Sequence, residues 1–139
     1  MAVTGQFDWT PLFLGAGVLF WVAGFDIIYA LQDSDFDKEK GLFSIPSYFG
    51  KNRALLISRM LHLVCSIALA LAIKSLIDPS EIPFGFGIAA LSVFCTLLIY
   101  QHSLVKANDL SKVNLAFFTT NGIASIVFAF ILVVGLYMA

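Results

Sequence analysis

The sequence predicts an all-α membrane protein with four transmembrane helices. Four apolar runs, at about residues 11–31, 54–77, 84–105 and 113–138, are each long enough to cross a hydrocarbon core, which takes about 20 helical residues. Hydrophobic residues make up 60% of the chain and charged residues only 12%, with a mean hydropathy of +0.93, a balance foreign to soluble domains. The basic residues are confined largely to two of the connections between runs, as loops on one side of a membrane are.

The same figures exclude other classes. A chain of 139 residues is the size of one domain. The net charge of −1 gives no reason to expect nucleic acid as a partner. Cys65 and Cys95 each lie inside an apolar run. With no C-x-x-C and no Cys/His cluster, they read as small core residues, not as zinc ligands or a disulfide framework. No basic stretch precedes the first apolar run, so the N-terminus lacks the pattern of a signal peptide.

Each element has its own signals. Pro11 suits the first turn of span one, whose only ionisable groups are Asp26 and Tyr29, both near its C-terminal end. Residues 32–52 form a long polar connection broken by Gly41, Pro46 and Gly50. Its Phe43, Ile45, Tyr48 and Phe49 either pack back over the helix ends or lie at the membrane interface. Span two carries Arg59 and His62 three residues apart, with Arg59 close enough to the loop to snorkel. The short turn Asp78-Pro79-Ser80-Glu81-Ile82-Pro83 makes spans two and three antiparallel neighbours. Gly85 and Gly87 open span three, and Gln101 and His102 close it. Span four has Asn114 and Asn121 seven apart, with Thr119, Thr120 and Ser125 nearby. Amides in lipid need protein partners, so that face is expected to point into the bundle.

Lys38, Lys40, Lys51, Arg53, Lys106 and Lys112 all fall in or beside the 32–53 and 106–112 connections, while Lys74 is the one basic residue near the opposite turn. The positive-inside rule puts the Asp-rich connection in the cytoplasm and both termini outside.

The chain is organised around Asp26 to Ser44, D-I-I-Y-A-L-Q-D-S-D-F-D-K-E-K-G-L-F-S. On a helix that continues through this run, Asp26, Tyr29, Asp33 and Asp37 fall at i, i+3, i+7 and i+11 and share one face. Asp33 and Asp37 are one turn apart and can bind one hard cation between them. Magnesium favours carboxylate oxygen and commonly completes its shell with substrate phosphates. The stretch therefore reads as a diphosphate–magnesium site at the end of a membrane helix. A solvated turn or a helix cap is the competing reading. Asp26 and Tyr29 weigh against it, because they carry the polar line back into the apolar run.

At these residues the chain resembles the UbiA-type intramembrane prenyltransferases. Their second aspartate-rich motif, D-x-x-Y-A-x-x-D-x-x-x-D-x-x-x-G-x-x-S, is matched from Asp26 to Ser44. The likeness continues through Y-F-G-K-N-R-A, Y-Q-H-S-L-V and V-N-L-A-F-F-T-T-N-G, over nearly the whole chain. Within the family it is nearest to 4-hydroxybenzoate polyprenyltransferases of quinone biosynthesis and their menaquinone-pathway relatives. The resemblance implies a bundle of about nine helices in which two aspartate-rich motifs face each other across a cavity. It implies transfer of a polyprenyl group from polyprenyl diphosphate to an aromatic acid such as 4-hydroxybenzoate, with Mg2+, in a bacterial inner membrane. Asp33 and Asp37 are then catalytic metal ligands, and Asp26, Tyr29, Asn114 and Asn121 line the substrate region. The family's first motif, N-D-x-x-D-x-x-x-D, is absent, and four spans stand where about nine are expected. Residues 1–139 thus resemble the C-terminal part of such an enzyme, with a missing N-terminal half as partner. The alternative is a non-catalytic fragment or subunit.

Overall fold

The computed structural model describes residue 5, residues 7–78 and residues 80–139. Pro79, one of the two prolines expected to shape the second turn, lies outside the described residues. The helices are α1 (Thr10–Ala30), α2 (Ser34–Lys40), α3 (Ile45–Phe49), α4 (Lys51–Ile77), α5 (Phe84–Leu104) and α6 (Asn121–Tyr137), with a π-helical segment at Leu115–Thr120 leading into α6. Four stretches are long and apolar enough to cross a membrane: Thr10–Ala30, Lys51–Ile77, Phe84–Leu104 and Leu115–Tyr137. The protein is an all-α integral membrane protein, and its spans lie within a few residues of those expected from hydropathy.

Helices α1 and α4 form the tightest pair, because α1 presents small residues to α4 at a seven-residue spacing. Thr10, Gly17, Gly24 and Leu31 are all buried. The Thr10 and Ser75 hydroxyls lie 2.8 Å apart, and the Ser58 hydroxyl donates to the Gly24 carbonyl at 2.6 Å. Gly17 packs on Leu69 and Gly24 on the His62 ring. Close backbone approach at small residues is how helices associate where lipid removes the hydrophobic driving force. On the far side of the bundle α5 packs against α6, with Phe94 set 5.0 Å from the Trp21 ring and 5.2 Å from that of Phe128. One apolar cluster, including Ile28, Leu31, Ala54, Val105 and Val113, fills the end carrying the Asp-rich segment. A second, around Cys65, Leu69, Phe94 and Leu98, fills the middle. Cys65 is buried and Cys95 half-buried, both free thiols.

Two expectations need correction. The helix of span one does not continue to Asp33. It ends at Ala30, and tighter i→i+3 bonds follow, from Gln32 N–H to the Tyr29 carbonyl (3.2 Å) and from Asp33 N–H to the Ala30 carbonyl (3.3 Å). Leu31 and Ser34, both fully buried, hold this turn against the bundle. Hydropathy could not show the break, since no Gly or Pro marks it. The 32–52 connection contains α2 and α3, bounded by two of the glycines expected to interrupt it. Gly41 closes α2 in the left-handed conformation at φ 68°, with Leu42 N–H returning to the Asp37 carbonyl at 2.8 Å. Gly50, at φ 82° and ψ 156°, turns α3 directly into α4 in a region open essentially to glycine alone. The second correction is that span four does not keep Asn114 and Asn121 on one face. The intervening π turn is wider than an α turn, so the seven-residue spacing no longer returns to the same side. Asn114 is exposed and Asn121 buried.

Candidate functional site

The Asp-rich segment lies at the end of the bundle where α1 gives way to α2. Asp33 occupies the N-cap position of α2 at φ −94° and ψ 0°, the sparsely populated bridge region. An Asp there ordinarily caps the helix by accepting a backbone N–H. The Asp33 side chain makes no such bond. Asp37 N–H donates to the Asp33 carbonyl at 2.8 Å, so the two carboxylates remain one helical turn apart. Among the described residues neither carboxylate takes part in an ion pair. Asp33 is exposed and Asp37 half-buried.

Asp35, between them, is differently employed. It pairs with Lys51 at 2.8 Å and ties α2 to the first residue of α4. The Lys51 hydrogen bond, reinforced by its charge, holds the Asp35 carboxyl below the ordinary value of 3.8. The favourable pairing is therefore present above pH 3.8 and is lost as pH falls through the lowered value. A carboxyl-NMR titration should find Asp35 below 3.8, and Lys51→Gln should move its midpoint up toward that figure. An unchanged midpoint in the variant would remove Lys51 as the cause.

Asp26 and Tyr29 are both exposed on α1. Asp26 is exposed at the edge of a cavity of about 270 Å³ bordered by Ala30, Ile45, Pro46 and Leu61. A carboxylate on an apolar span is costly, which makes such residues rare within membrane helices. Tyr29 packs against the π segment, its ring 4.4 Å from that of Phe117 and 6.1 Å from Phe118. Phe43 and Tyr48 are 90% and 71% exposed, so the aromatic residues of the connection do not fold back over the helix ends.

Two features had little or no signal in the residue types alone. Buried His62 joins α1, α4 and α5: its Nε2 lies 3.2 Å from the Trp21 carbonyl and its Nδ1 2.8 Å from His102 Nε2. A carbonyl only accepts, so with both rings neutral His62 carries its proton on Nε2 and accepts from His102 Nε2–H. That leaves His102 Nδ1 an unprotonated acceptor, buried without a partner. Gln101 is the second feature. Phe86 meets Gly135 and Phe94 meets Phe128, and the same antiparallel register brings Gln101 level with Asn121. Gln101 is fully buried and Asn121 nearly so, yet neither amide has a hydrogen-bond partner among the described residues. Buried amides are almost always paired, so two orphans at one level set this layer apart from ordinary core.

A family model for the UbiA prenyltransferase family matches residues 1–123. The chain belongs to this family. The 4-hydroxybenzoate octaprenyltransferase of Tolumonas auensis is 30% identical over 128 residues, a stretch covering 92% of this chain and 43% of the relative. The chain therefore spans less than half the length of that curated family member. No solved structure matches it. The matched region takes in α1 to α5, the π segment and the start of α6.

Proposed function

We propose that the chain forms one side of an intramembrane prenyltransferase site, which moves a polyprenyl group from its diphosphate to an aromatic acid such as 4-hydroxybenzoate. The observation that carries this reading is the pair Asp33 and Asp37. They stand one turn apart beyond the end of a membrane helix, with no ion-pair partner among the described residues, while the intervening Asp35 is engaged by Lys51.

The donor set fits magnesium, which takes one or two protein carboxylates and fills its octahedron with phosphate and water. Asp33 and Asp37 would hold it. When bound there it supplies Lewis-acid charge to the diphosphate oxygens. No group of three or more His, Cys, Asp or Glu side chains able to hold a metal occurs among the described residues. On this reading, further ligands come from the diphosphate and from a first aspartate-rich motif on a partnering N-terminal half. Asp26 and Tyr29 then face that half and line the substrate region, while Asn114 and Asn121 contribute from span four. The orphaned Asn121 amide supports an inward role. Asn114, exposed beside the connection, serves nearer the mouth.

The excess of Lys and Arg in the 32–53 and 106–112 connections supports a cytoplasmic Asp-rich segment, in a bacterial inner membrane. Such an orientation gives the site access to a soluble aromatic acid while the prenyl tail stays in lipid.

The test is a membrane assay with radiolabelled polyprenyl diphosphate, magnesium and 4-hydroxybenzoate. It compares this chain with a fusion carrying a family N-terminal half. The fusion should transfer label and the lone chain should not, because half of the charge stabilisation around the leaving group is lacking. Robust turnover by the lone chain would refute the half-site reading, and an inert but folded fusion would refute the assigned activity.

A further inference from the structure

Two cavities share Arg59, one between the start of α4 and the 106–108 turn and the other between α4 and α5. The upper, about 640 Å³, is bordered by Lys51, Asn52, Arg59, Lys106 and Asn108. The lower, about 420 Å³, runs along Leu63, Leu98 and Ile99 past the His62–His102 pair. We propose that this groove binds an anionic phospholipid, with its phosphate among Lys51, Arg59 and Lys106 and an acyl chain in the lower cavity.

Charge argues for the headgroup. Among the described residues no carboxylate borders either cavity. Asp35 neutralises only Lys51, and among the described residues neither Arg59 nor Lys106 meets a carboxylate within 4.0 Å. Lys51 opens α4, so the unbonded N–H groups of that helix's first turn add to the positive field. Arg59 lies eight residues further on, about 12 Å along the axis, and its long stem can lift the guanidinium toward the boundary. Basic pockets between helix ends at a membrane surface are suited to anionic headgroups.

The shape argues for a lipid over free phosphate. Helix α4 packs more closely on α1 than on α5, and outside the buried Cys65–Phe94 seam a groove remains along Leu63, Leu98 and Ile99. Its apolar rim faces outward: Leu63 is 54% and Ile99 71% exposed. An occupant can enter sideways from the bilayer with its tail already in hydrocarbon. Neither Asp33 nor Asp37 borders the groove, so the proposal stands apart from the prenyl-transfer reading.

The experiment titrates the full chain, purified in detergent, with phosphatidylglycerol, phosphatidylcholine or inorganic phosphate, and follows retained lipid by native mass spectrometry and the unfolding temperature. Phosphatidylglycerol should be retained and raise the unfolding temperature, and the other two should do neither. Arg59→Gln combined with Lys106→Gln should weaken phosphatidylglycerol binding by on the order of tenfold or more. The control Lys38→Gln with Lys40→Gln removes the same charge outside the groove and should leave binding unchanged, as should Asp33→Asn with Asp37→Asn. Equal retention of phosphatidylcholine, equal stabilisation by inorganic phosphate, or an equal loss in the Lys38/Lys40 control would each overturn the proposal. Should the Arg59/Lys106 variant fail to fold, Ile99→Trp reads the groove directly. Its added emission should be quenched by chain-brominated phosphatidylglycerol in preference to brominated phosphatidylcholine, and equal quenching overturns the proposal.

Discussion

Replacing Asp33 or Asp37 with alanine in the fused, transfer-competent protein should lower turnover by on the order of 10²–10³-fold, about 3–4 kcal/mol of transition-state stabilisation. Asp35→Ala should leave turnover largely intact. All three residues are acidic, near in sequence and close to the membrane boundary, so a general effect of negative charge predicts equal losses. The geometry predicts unequal ones. Asp33 and Asp37 are one turn apart with no ion-pair partner, whereas Asp35 spends its carboxylate on Lys51 at 2.8 Å. Measuring kcat against magnesium concentration for the three variants separates the cases. Equal defects in all three, or an unimpaired Asp37→Ala, would take the metal-ligand role away from the pair.

A graded series along α1 should show the second-largest effect, on stability. Gly15 has nothing within 4 Å of where a Cβ would stand, so Gly15→Ala should gain the helix propensity of about 1 kcal/mol. At Gly17 the added atom would lie 2.6 Å from Leu69 Cδ2 and 2.9 Å from Cγ, so the whole buried side chain must shift and the gain in propensity should be lost. At Gly24 it would run into the His62 ring. That ring is held on both sides, by the Trp21 carbonyl and by His102, and cannot swing aside without breaking one bond. Overpacking against an immovable neighbour costs about 1–3 kcal/mol, so Gly24→Ala should be the destabilising member. Unfolding temperatures in one detergent would rank the three. A Gly24→Ala protein as stable as the parent would mean that the α1–α4 crossing yields more easily than its hydrogen bonds imply.

Much of this molecule was legible because lipid imposes a simple code. The length of an apolar run fixes a span to within a few residues, and the D-x-x-x-D spacing placed Asp33 and Asp37 on one turn even though the helix they share begins later than expected. What hydropathy could not convey was any feature that depends on a neighbour. The seven-residue repeat of Thr10, Gly17, Gly24 and Leu31 was present in the sequence, but its meaning required α4 beside it. His62 and His102 are forty positions apart and become a pair only through the fold. Gln101 carried no signal beyond being polar near the end of a span. The break after Ala30 has no Gly or Pro to announce it, because it is held by the burial of Leu31 and Ser34.

The π turn at Leu115–Thr120 has a consequence for chain length. Such a turn is a helix with one residue more than α geometry needs, and the surplus is confined to six positions. Deleting one exposed residue there, such as Thr119, would let the segment relax into ordinary α-helix. The two flanks could then rotate relative to each other while Asn121–Tyr137 kept its seat against α5. The aromatic contact of Phe117 with Tyr29 would be the part displaced, since it depends on the bulge. This span can therefore vary by one residue in length near its Asp-rich end without losing its anchorage further down. Any change in the register of Phe117 is delivered straight to Tyr29, near the end of α1.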